Sequence, residues 1–98
     1  MATIPEAEAR ERLGKLAGWT LTGPAIRRQL TFKGFPDALA FVVRLGFDAE
    51  AADHHPDMLI NYRRVTVTYS THSEGGLTDK DFAGAAATDT LAQRFGGT

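Results

Sequence analysis

From Pro36 onward apolar side chains recur at three-and-four spacing (Ala38, Phe41, Val42, Leu45 and Ala49), and the pattern then stops at His54-His55-Pro56. So regular a stripe must be buried, and Asp37, Arg44, Asp48 and Glu50 fall off it, so this helix lies along one side of something flat. The chain that follows supplies the flat surface. Val65, Val67 and Tyr69 alternate with Thr66, Thr68 and Ser70, the period-two pattern of a strand over 65–71 with one apolar and one hydroxylated face. A brief strand over 57–61 precedes it. With 98 residues the chain has room for one domain, 1–98, and one hydrophobic core without staples.

The remaining segments fill out that architecture. Thr3 and Glu6 have capping-box spacing and Pro5 suits a first turn, so a helix is expected over 5–17, closed by Gly18, with Ala9, Leu13, Leu16 and Ala17 on its inner face. Residues 19–22 and 25–32 favour strands, and Gly23-Pro24 between them reads as a hairpin turn; Ile26, Arg28, Leu30 and Phe32 share one side. Gly75-Gly76 makes a turn. Thr78 with Asp81 three residues on caps a last helix over 79–95, whose expected buried stripe is Phe82, Ala86, Leu91 and Phe95, after which Gly96-Gly97-Thr98 frays. The order helix, two strands, helix, two strands, helix is that of an α+β domain: a four-stranded antiparallel sheet with three helices on one face. The open sheet edges of such a fold invite a second copy.

Composition removes several function classes. There is no cysteine, which excludes disulfides and thiolate metal sites and suits a reducing cytoplasm. Eleven basic against twelve acidic side chains give a net charge of -1, so no nucleic-acid footprint is present. The first residues lack the basic start and apolar run of a secretion signal, and no stretch is long enough to cross a bilayer, so a soluble cytoplasmic protein is expected.

Chemistry concentrates where the central helix ends. His54 and His55 stand beside Glu50 and Asp53, and the third histidine, His72, lies beyond the next strand. Imidazole both gives and takes a proton near neutral pH, so paired rings beside acids point to proton transfer; histidines after a helix can equally serve only its dipole and terminal carbonyls. Pro56 biases His55 towards an extended backbone, which aims the two rings apart. Glu50 and His54 are four apart and become neighbours if the helix persists to Asp53. His72 belongs to the hydroxyl side if the strand alternation runs on, and turns towards His54 if it breaks. Trp19, after a glycine stop, is either a core aromatic or a ligand-stacking one. A metal site is disfavoured, because adjacent histidines diverge and the two-histidine helical spacing of zinc hydrolases is absent.

The combination Glu50, His54-His55-Pro56, Tyr62, Thr71-His72, Gly75-Gly76-Leu77-Thr78 and Asp81, with Gly18-Trp19, Phe32, Phe35, Ala38 and Phe41 around it, resembles the pterin-4a-carbinolamine dehydratase family. Met58 stands where a bulkier aromatic is frequent and Tyr69 where an aliphatic is. The resemblance implies a dimeric or tetrameric α+β subunit that dehydrates a 4a-hydroxytetrahydropterin to the quinonoid dihydropterin with neither metal nor organic cofactor. It implies His54, His55 and His72 as the catalytic histidines, with Asp81, Glu50 and Trp19 on the substrate side. The alternative it carries is a dimerisation or assembly cofactor that works by binding protein.

Overall fold

The two periodicities meet as expected in a computed structural model that describes residues 2–98. Helix α1 (Glu6–Leu13) leads into strands β1 (Thr20–Thr22) and β2 (Ala25–Thr31), helix α2 (Phe35–Ala52), strands β3 (Asp57–Asn61) and β4 (Arg64–Tyr69), a 3-10 turn at His72–Glu74, and helix α3 (Asp79–Arg94). The strands form one antiparallel sheet in the order β1-β2-β4-β3. Its register sets Ile26 opposite Tyr69, Leu30 opposite Val65 and Met58 opposite Val67, so the apolar residues of three strands share one face. The α+β architecture read from the periodicities is therefore the observed one.

The core lies between that face and the helices. Ala38, Phe41, Leu45 and Ala49 of α2 are buried against it as the stripe requires, and Phe41 packs against Phe32 with ring centroids 4.9 Å apart. Burying an aromatic or aliphatic side chain of this size contributes about 1.5–3 kcal/mol, so the stripe alone holds α2 to the sheet. On the opposite sheet face Arg27 and Gln29 are exposed.

Four expectations need correction. Helix α1 ends at Leu13, not 17, because Gly14 breaks the α-helical run; the chain keeps winding through tight i to i+3 bonds from Lys15 to Arg12 and from Leu16 to Leu13, and Ala17 is exposed. Pro5 stands at its N-cap and no side chain caps it, so Thr3 does not act as the cap. In α3 the phase of the buried side is set by Asp81, Phe82, Ala85, Thr88 and Leu91, which leaves Ala86 exposed. Finally, the C-terminal residues are tied down: Thr98 exchanges both backbone hydrogen bonds with Thr31, beside β2 where the shorter β1 has ended, and Gly97 is buried so close to Phe32 that a Cβ there would lie 2.6 Å from the ring.

Candidate active site

Helix α2 ends in a way that aims His54. Asp53 adopts the left-handed conformation (φ 52°, ψ 40°), its amide donates to the Glu50 carbonyl, and the His54 amide donates back to the Ala49 carbonyl at 3.1 Å. Those two bonds define a Schellman stop with aspartate where glycine is usual; aspartate is among the few other residues that visit this region. The reversal turns the His54 ring towards α3 instead of leaving it on the α2 surface.

There it meets Asp81. His54 Nε2 lies 2.6 Å from Asp81 Oδ1, and Asp81 is wholly buried. The other carboxylate oxygen, Oδ2, accepts from the Thr71 hydroxyl at 2.8 Å and from the Thr78 amide at 2.9 Å. Thr78 Oγ1 lies 2.8 Å from Thr71 Oγ1. Since the Thr71 hydrogen is committed to the carboxylate, Thr78 donates to Thr71, and its own oxygen accepts the Lys80 amide. Asp81 is thus both the return arm of the expected capping box and the anchor of His54, at a helix N-terminus that favours negative charge. A carboxylate only accepts, so Nε2 of His54 carries a hydrogen and Nδ1 holds the lone pair of the neutral ring.

One face of the His54 ring lies against Tyr69, with centroids 5.7 Å apart and planes 18° from parallel. The Tyr69 hydroxyl lies 3.2 Å from Thr88 Oγ1, and burial holds its phenol above the ordinary value of 10.0. Gly84 makes room for that ring: a Cβ there would stand 2.6 Å from Tyr69 Cε1.

The expected histidines converge. Because the strand ends at Tyr69, His72 falls on the 3-10 turn, and His54, His55 and His72 line one cleft with Asp53, Thr71 and Lys80. The cleft measures about 300 Å³, at the lower end of small-molecule sites. A second, mostly apolar hollow of about 180 Å³ opens between α2 and α3, with His54 and Lys80 common to both. Two expected placements differ. Glu50 bonds His55 Nε2 at 2.7 Å, not His54, because the left-handed turn at Asp53 carries His54 away; both partners are exposed, and such a pair contributes at most about 1 kcal/mol. Trp19 is core: it is 5% exposed, donates Nε1 to the Asp89 carboxylate that also holds Arg28, and stands one ring behind the site, 6.1 Å from Tyr69. Among the described residues no three histidine or acidic side chains stand together in a way that could hold a metal ion.

The family model for pterin 4 alpha carbinolamine dehydratase matches residues 2–91. The chain belongs to that family. A relative from Roseiflexus castenholzii, named "Putative pterin-4-alpha-carbinolamine dehydratase", is 52% identical over 92% of this chain and 97% of its own length. One of the same name from Mycobacteroides abscessus is 47% identical over 96% and 100%. A crystal structure of a transcriptional coactivator/pterin dehydratase from Brucella melitensis superposes with a TM-score of 0.87 at 38% identity, over 92% of this chain and 98% of that one. A pterin dehydratase-like RuBisCO assembly factor of the alpha-carboxysome, at 23% identity and a TM-score of 0.62, covers 76% of this chain and 86% of its own; it shares the fold alone.

Within this member of the pterin dehydratase family, Lys80 and Tyr69 are site residues that no sequence motif assigns, whereas Asp53 stands in the cleft beside the histidines it adjoins in sequence. Lys80 lies between the capping Thr78 and the buried Asp81 in sequence, is exposed, and lines both hollows. The Tyr69 stack has no local signal, since it depends on a partner fifteen positions away.

Proposed function

We propose that the chain dehydrates a 4a-hydroxytetrahydropterin to the quinonoid dihydropterin and water. The observation that carries this reading is the convergence of three histidines on one cleft, one of them held edge-on by a buried carboxylate. In the reaction the C4a–O bond breaks as the oxygen gains a proton and leaves as water, while N5 loses its proton and its electron pair forms the new C=N bond. One acid and one base on a nearly neutral substrate are all that the proton balance asks for. His54, with Nδ1 left free by its bond to Asp81, and His72, exposed on its turn, are the proton-transfer pair of this reading, with His55 completing the set. Asp81 has both oxygens occupied and no exposed surface, so its part is to hold His54, not to touch the pterin. Glu50 supports His55, and Trp19 supports the wall behind Tyr69.

The test is direct. Decay of enzymatically generated 4a-hydroxytetrahydropterin is followed by ultraviolet absorbance with and without the protein, on both stereoisomers of the hydroxyl. Faster decay is expected; an unchanged rate on both isomers would refute the reading.

A further inference from the structure

His54 is fixed from three directions, and only two of them are polar. Its amide is bonded to Ala49 and its Nε2 to Asp81, which sets the backbone and one edge of the ring. Neither bond sets the tilt of the ring about the Nε2 hydrogen bond, and that tilt decides where Nδ1 points. The remaining constraint is the face of Tyr69, offset-stacked on the imidazole. Tyr69 is itself immobilised: its hydroxyl bonds Thr88, and its ring edge is pressed on Gly84, where even a methyl group would intrude.

We propose that Tyr69 is a positioning residue for the reaction, a flat wall that fixes the tilt of His54 so that Nδ1 is presented to the substrate, with Gly84 as the backbone concession that lets the wall stand there. This rests on the dehydratase reading and on His54 as one of its proton-transfer groups. The phenol takes no proton from substrate; its ring, not its hydroxyl, does the work.

Three variants separate positioning from plain packing. Tyr69→Phe keeps the ring and loses the Thr88 bond, so it should keep kcat within about threefold of the parent. Tyr69→Leu removes the wall, and displacement of a catalytic group by about 1 Å costs on the order of 100-fold, so kcat should fall about 10- to 100-fold with KM nearly unchanged. In Tyr69→Leu/Gly84→Ala the added methyl group enters the vacated space, so melting temperature should recover relative to Tyr69→Leu while kcat should not. If kcat recovers together with the melting temperature, or Tyr69→Leu keeps the parental kcat, Tyr69 is only packing and the proposal is overturned. Should Tyr69→Leu fail to fold, the double variant against the parent and Tyr69→Phe makes the same comparison. The ring-proton NMR lines of His54 make the inference separable from the functional reading: one sharp set is expected in the parent and Tyr69→Phe, and doubled or broadened lines in Tyr69→Leu. A parent without dehydratase activity would fail the reading while those lines still decide the positioning, and sharp unshifted lines in Tyr69→Leu would overturn it.

Discussion

At the residue scale the site turns on one desolvated carboxylate. Burying an unpaired ion costs several kcal/mol, and Asp81 is answered by His54, Thr71, the Thr78 amide and the α3 N-terminus together. The two candidate histidines therefore respond differently to removal. His72 is exposed on its turn, so His72→Ala should lose about 10²- to 10⁴-fold in rate while stability changes by less than about 0.5 kcal/mol. His54→Ala should lose a similar factor in rate and also about 1–3 kcal/mol of stability, because Asp81 Oδ1 loses its partner. Steady-state dehydration and thermal melts measured side by side check both, and parental rates for both variants on both isomers would remove the catalytic assignment. Tyr69 gives a pH test. Burial raises its phenol above 10.0, so on raising the pH the unfolded chain releases this proton first and binds fewer protons than the folded one. Stability from this group is complete below pH 10.0 and is lost as pH rises through the higher folded value. Melting temperature should drop between pH 9 and about pH 11 by more in the parent than in Tyr69→Phe; equal slopes would show that the phenol does not feel its burial.

At the scale of elements, the α2 terminus does more than stop a helix, since it chooses which histidine meets Asp81. The left-handed turn at Asp53 costs a non-glycine residue about 1 kcal/mol, which glycine would relieve and a β-branched residue would enlarge. Asp53→Gly should raise stability by up to about 1 kcal/mol and Asp53→Val should lower it by about 1–2 kcal/mol, both read by thermal or urea unfolding. A neutral Asp53→Val would mean that the turn does not constrain the chain. That turn also marks the limit of what local pattern reveals. The α2 stripe, the β4 alternation and the Thr78–Asp81 cap are set by neighbours within four residues, and all three stand where the periodicities put them. The i, i+4 spacing makes neighbours of Glu50 and His54 only in a helix that continues, and Asp53 ends it, so Glu50 meets His55 instead. The spacing admits Ala86 to the buried side because an alanine-rich helix offers several stripes, and only contact with the rest of the fold picks one. The grouping of the histidines was legible from the family motif; the wall of Tyr69 and Gly84 was not, since a glycine's role there depends on a ring from another element.

For the whole molecule, the question is what covers α2. The face of α2 away from the sheet carries Phe35, Leu39, Val43 and Phe47, each four residues from the last, and they are 44%, 42%, 54% and 70% exposed. Single exposed apolar residues are ordinary, but four in one stripe, three of which (Leu39, Val43 and Phe47) line a shallow groove with Pro36, Ala40, Arg44 and Phe95, form a patch of the kind that marks an association surface. The large apolar side chains that stand out on the surface are mainly on α2. A second copy is the simplest cover, because an i, i+4 stripe on a helix is self-complementary about a two-fold axis: Phe35 of one copy can lie near Phe47 of the other, with Leu39 and Val43 between. The sheet edges at β1 and β3 provide a further route to larger closed assemblies. Size exclusion with light scattering should therefore give a dimer or tetramer at micromolar concentration. Phe47→Glu places a charge on the most exposed member of the stripe and should yield a smaller species with unchanged fold by circular dichroism. Because the stripe lies on the side of α2 away from the sheet, and the cleft is built from the residues that follow α2 and from the start of α3, that smaller species should still dehydrate the substrate. A parent that stays monomeric at high micromolar concentration would leave the stripe without a second copy and turn attention to a different protein as its partner.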